Sequence, residues 1–140
     1  MHEEVVHARG HEHVSADHAS TFEVTSDDYL TPAGDCILGI EADRVPADFD
    51  DDFVATCQDA DSSIRAVFEV EGVDDPVTIE GRGHPDLSFA NERSMVGRTS
   101  DYVDDRTIMV GADHAAGDLP RNLVDALAAG AGLTLRLQVS

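Results

Sequence analysis

Lysine is missing from all 140 residues, and so is tryptophan. A P-loop lysine, a Schiff-base lysine and a kinase lysine are therefore unavailable, whatever the fold. No GxSxG elbow occurs, and Gly81-Arg82-Gly83-His84-Pro85 does not complete a dinucleotide fingerprint. Aromatic residues make up only 5% of the chain and do not interleave with a basic stripe, so recognition of nucleic-acid bases by stacking is not written here. Cys36 and Cys57 lack CxxC or metal-knuckle spacing and are expected as reduced, buried thiols. No apolar run approaches membrane-spanning length, and Met1-His2-Glu3-Glu4 opens with acid rather than with a positive leader region. The expectation is a cytoplasmic protein without a membrane partner.

What the chain has instead is acid. Asp and Glu number 29, 20 of them Asp, against nine basic residues that are all Arg, for a net charge of −20. This composition reads as salt adaptation, in which a dense carboxylate surface supports solubility. At about 1 M salt the Debye length is about 3 Å, so such a charge is nearly silent beyond contact. The acidity is thus no evidence for a basic partner, and local arginines remain free to meet RNA phosphates at short range.

The chain also reads as one unit written twice. Glu4-Val5-Val6-His7-Ala8-Arg9-Gly10-His11 aligns with Val77-Thr78-Ile79-Glu80-Gly81-Arg82-Gly83-His84, and Asp28-Tyr29 with Asp101-Tyr102. The register shifts in turn-like sequence around Pro32 and around Asp59, where insertions are tolerated. Each half would be marginal alone at about 65 residues, so a shared core is expected. Hydrophobic periodicity gives strand, strand, strand, helix, strand in each copy. Phe49, Phe53 and Cys57 recur at helical spacing, and Leu119, Leu123 and Leu127 match them. Pro46 is placed early in the first helix, and Asp118 is available to cap the second. The expected fold is α+β: an internally duplicated β-β-β-α-β unit, with repeats 4–72 and 77–140, forming one pseudo-twofold domain (1–140) with eight strands and two helices.

Alternation along an extended strand puts His7, Arg9, His11 and His13 on one face, with Val6, Ala8 and Gly10 opposite. The second copy repeats this with Glu80, Arg82, His84 and Asp86. If the copies pack about a twofold axis, Arg9, His11, Arg82 and His84 converge on one groove suited to phosphate or carboxylate. The competing reading is a turn repeated in each half. His7, His11, His13 and His18, with Asp17 beside them, form a second constellation compatible with a divalent transition metal. His18 could instead anchor the turn before the second strand. Asp35 is the least arbitrary acid/base choice, against a turn-capping role in Gly34-Asp35.

Arg9-Gly10-His11, His18 to Thr25, Leu30 to Gly39, Ser100 to Thr107 and Ala112-Asp113-His114-Ala115-Ala116 together resemble an archaeal family known as domain of unknown function 371. The resemblance spans nearly the whole chain and implies an archaeal, single-domain, functionally uncharacterised protein. Two departures stand out. Gly10-His11-Glu12 replaces Gly-His-Pro, and Asp43-Arg44 and Asp113-His114 replace Asp-Lys. Neutral His114 cannot stand in for an obligatory cation at neutral pH. The first functional expectation is a binding module for a small anionic ligand or nucleic-acid phosphate, in a groove between the halves. The alternatives are a metal-dependent hydrolase with its His-rich site in the first repeat, and a scaffold subunit of a larger protein complex.

Overall fold

In the computed structural model, which describes residues 1–140, the chain forms eight strands and two helices in an α+β arrangement. The strands are β1 (His2–Arg9), β2 (Thr21–Thr25), β3 (Ile37–Gly39), β4 (Ser63–Val70), β5 (Val77–Arg82), β6 (Ser94–Arg98), β7 (Thr107–Met109) and β8 (Gly132–Val139). Helix α1 spans Asp51–Cys57 and α2 spans Arg121–Ala128. One sheet has the order β1-β8-β4-β5 and is antiparallel throughout. The other has the order β3-β2-β6-β7, with an antiparallel centre and parallel outer pairs.

A single cluster of buried side chains draws on both sheets and both helices. Leu133, Leu135, Leu137 and Val139 of β8 and Ile64, Ala66, Phe68 and Val70 of β4 supply the inner face of the first sheet, as a period-two pattern requires. Phe68 meets Phe22 of β2 edge to face at 5.3 Å and ties the sheets together. Both expected stripes are buried, Phe49-Phe53-Cys57 and Leu119-Leu123-Leu127, although Phe49 and Leu119 lie at the ends of the preceding 3-10 turns rather than in the helices. Helix α1 lies against β1 and β8, and α2 against β3 and β4.

Helix entry differs from expectation. Pro46 opens a separate 3-10 turn, Pro46–Asp48, and α1 begins at Asp51 with Asp50 as its cap, accepting from the Asp52 N–H at 2.8 Å. Asp118 does not cap α2; it closes the 3-10 turn Ala116–Asp118 by accepting from the Ala115 N–H at 2.9 Å, and Pro120 takes the cap position. The third strands are also shorter than their apolar runs. Left-handed backbone at Glu41 (φ 56°) and Gly111 (φ 59°) turns the chain out of the sheet.

After those turns each chain segment clips onto an outer edge of the first sheet. The His7 N–H donates to the Asp43 carboxylate at 2.8 Å while the Asp43 N–H donates to the His7 carbonyl at 2.9 Å. Glu80 and Asp113 make the same reciprocal pair, at 3.0 and 2.8 Å. Single bridges from Arg9 to Ile40 and from Arg82 to Val110 extend the two clips.

Candidate binding face

The outer face of the β1-β8-β4-β5 sheet carries no covering element, and apart from Val5 and Val67 its alternate residues are polar: Glu3, His7 and Arg9; Thr134, Arg136 and Gln138; Ser63, Arg65 and Glu69; Thr78, Glu80 and Arg82. Strand register decides how these are arranged. Arg136 lies between Val5 and Val67, Arg65 is two residues beyond Val67 on β4, and Arg82 pairs with Ser63, two residues further. Arg9, opposite Gly132, lies four residues the other way. Four of the nine arginines therefore form one diagonal row, Arg9-Arg136-Arg65-Arg82, with His7 beside the gap between the first two. From strand spacing and rise, the backbone positions step by about 14, 8 and 8 Å.

The row is flanked by acid. Arg136 pairs with Glu69 and, at 3.6 Å, with Glu3; Arg65 pairs with Glu80 at 3.1 Å; Arg9 pairs with Glu41 from the turn after β3. Hydrogen bonding to Glu41 and to Glu69 raises the pKa of Arg9 and of Arg136, so both stay charged. Arg82 makes no ion pair.

This geometry does not bring the four expected ligand residues together. Arg9 and Arg82 stand at diagonally opposite corners of the sheet, about 30 Å apart by the same strand spacing. Nor do His11 and His13 extend the polar strand face. The strand ends at Arg9 because Gly10 turns under the last carbonyls of α2, where a β-carbon would run into the Leu127 carbonyl. Gly83 is pressed in the same way against the Cys57 carbonyl at the end of α1. His11 Nδ1 then accepts from the His13 N–H at 3.0 Å, and His84 Nδ1 from the Asp86 N–H at 3.0 Å, so each imidazole holds a turn. A shallow hollow of about 370 Å³ lies elsewhere, at Glu4 and Arg44; one of about 320 Å³ unites Arg9 with His11, beside Glu12 and Ala128 to Gly130.

The histidine constellation is dispersed. His18 Nδ1 accepts from the Ser20 and Thr21 N–H groups at 3.2 and 3.1 Å, anchoring the turn into β2, and Asn91 does the same for Arg93 and Ser94 before β6. His7 is exposed on the sheet, 3.3 Å from Thr134 Oγ1, while the rings of His11 and His13 stand 5.2 Å apart. No three His, Cys, Asp or Glu side chains are placed to hold a metal ion. Asp35 acts through its backbone, its carbonyl accepting from Asp17 and His18 at 3.0 and 3.3 Å, and Asp17 faces Arg121 at 3.8 Å. Burial pushes the thiols up, Cys57 to about 12 and Cys36, with Glu23 nearby, to about 11, so neither is a thiolate at neutral pH.

Two groups of side chains escaped the sequence reading. Arg65 and Arg136 obey the strand alternation, but only register puts them in line with Arg9 and Arg82. The second group surrounds Asp104, which takes the Arg98 guanidinium at 3.0 Å and the Thr107 hydroxyl at 3.1 Å, with Arg98 also 4.8 Å from the Tyr102 ring centre. Desolvation alone would raise the Asp104 pKa, but the Arg106 N–H, the Arg98 charge and Thr107 outweigh it and lower the pKa below the ordinary 3.8. A depressed folded pKa contributes stability above 3.8 that is lost as pH falls through the folded value. Acidification below about pH 4 is therefore expected to release the β6–β7 connection, followed by NMR of the Thr107 and Tyr102 resonances. In Asp104→Asn that acid-induced step should vanish; its persistence would assign the step to another carboxylate.

Two sheets, two helices and an exposed face crossed by arginines define an α+β protein, and no helix is long and apolar enough to span a membrane. Its sequence places it more narrowly. The family described as Domain of unknown function (DUF371) matches residues 6–140, and the chain belongs to that family. An uncharacterized protein of the archaeon Methanocaldococcus jannaschii is 42% identical over 135 residues, covering 96% of this chain and 98% of the relative.

Proposed function

We propose that this protein is a binding module for phosphate-bearing anions, which it takes on the outer face of the β1-β8-β4-β5 sheet through Arg9, Arg136, Arg65 and Arg82. The diagonal row is the observation that carries this reading. A guanidinium presents a rigid fork of donors that fits phosphate oxygens, and it stays charged at any physiological pH. Each internal carboxylate partner sits in an exposed, solvent-screened pair, so a phosphate competes for the same donors at little loss. Titration with inorganic tripolyphosphate, read by NMR of the arginine Nε–H groups, should move these four resonances and leave those of Arg44, Arg98 and Arg121 in place. Shifts confined to other arginines, or none, would remove the assignment.

We also propose one salt-adapted domain of two repeats, 4–72 and 77–140. Exchanging β1 with β5, β2 with β6, β3 with β7 and β4 with β8 leaves both strand orders unchanged, which supports the duplication. So do the paired Gly10 and Gly83 contacts and the paired edge clips.

A further inference from the structure

We infer that the occupant of the arginine row is one strand of nucleic acid, gripped by its backbone and without regard to base sequence. This deepens the anion-binding reading and rests on it. Four arginines whose backbone positions step by about 8 to 14 Å, and span about 30 Å from corner to corner, cannot all close on one small anion. A single strand has the matching shape, a line of phosphates. At a stacked rise of about 3.4 Å per nucleotide the row spans roughly nine. That falls inside the range of about 4–16 nucleotides typical of single-strand sites built on a charged track.

The flanks select against a duplex. Glu3 lies on one side of the row, and Glu69 and Glu80 lie on the other. The second backbone of a duplex runs about 6 to 12 Å away across a groove, where this face offers no second line of cations, only Thr134, Thr78 and Gln138 beside these carboxylates. Base reading has no broad platform, because the uncharged positions among the arginines are Val5, Ser63, Val67, Thr78, Thr134 and Gln138, with no Phe, Tyr or Trp on this face. Threonine hydroxyls and the His7 ring add hydrogen-bond donors along the track but distinguish no base.

The test is fluorescence anisotropy with a labelled single strand of about 12 nucleotides, the same strand annealed to its complement, and two unrelated base compositions. The single strand should bind, the duplex should bind more weakly, and base composition should matter little. The logarithm of affinity should fall against the logarithm of KCl concentration with a slope of about −3, from roughly −0.7 for each of four phosphate contacts. Arg65→Gln and Arg136→Gln lie on the open sheet face and should each flatten the slope by about 0.7, whereas Arg93→Gln, paired with Asp27 off this face, should not. Equal binding of duplex and single strand, or a slope indifferent to Arg65 and Arg136, would overturn the inference. If tripolyphosphate still moves the four arginines in that case, the anion-binding face stands and only its occupant is wrong; if nothing moves them, both fall.

Discussion

Gly10→Ala and Gly83→Ala are each expected to destabilise the protein by about 3 kcal/mol, the upper range for forced overpacking. In both cases the new methyl would sit inside the contact distance of a backbone carbonyl, that of Leu127 or of Cys57. A backbone carbonyl at a packed helix end has no rotamer to change, so relief requires the helix or the strand to shift. The surrounding bonds resist such a shift: the Gly10 N–H donates to Ala131 at 2.8 Å, and the His84 N–H donates to Cys57 at 3.0 Å. Gly72→Ala makes a useful contrast. Its φ of 82° strains any other residue, but the space around it is open, so about 1 kcal/mol is expected. Urea unfolding monitored by circular dichroism ranks the three. A Gly10→Ala protein no weaker than Gly72→Ala would contradict the close approach of β1 to α2.

The second large effect concerns salt. Raising KCl from about 0.1 to about 2 M should lift the thermal midpoint by about 10 °C, equivalent to some 2 to 3 kcal/mol for a chain of this size. Two electrostatic terms oppose each other. Screening weakens the exposed ion pairs, such as Arg65 with Glu80, but each is worth at most about 1 kcal/mol. It also relieves the self-repulsion of a net charge of −20, which is spread over the whole surface, and this term wins. Chloride is the right probe, because sulfate would add surface exclusion of its own. A midpoint that is flat or falls with KCl would show that the acidic surface is not under repulsive strain.

Much of the architecture was legible because periodicity reports burial. The alternation in Leu133 to Val139 and the stripe at Leu119, Leu123 and Leu127 each had one physical solution, and the chain adopts it. Turn and cap details were less legible. Asp118 precedes a proline, and nothing local says whether its carboxylate caps a helix or the 3-10 turn before it. The arginine row was half legible: Arg9 and Arg82 stood out as a repeated motif, but their relation is a matter of strand order and register, which no local pattern encodes. Gly10 and Gly83 each sit at a close backbone approach. The same approach ends the strand, and so takes His11 and His84 off the face that alternation had assigned them.

The reciprocal clips at His7 with Asp43 and at Glu80 with Asp113 bear on how copies of this chain avoid one another. Bare strand edges recruit other strands, and many proteins deter this with charge. Charge is a poor deterrent once salt has screened it to within a few ångströms. Here the vulnerable N–H and C=O groups of His7 and Arg9 on one outer strand, and of Glu80 and Arg82 on the other, are already occupied from within the same molecule. Sideways pairing into a shared ribbon is thereby blocked along these stretches of both edges, which leaves the face across which the arginines run as the broad open aspect of the sheet.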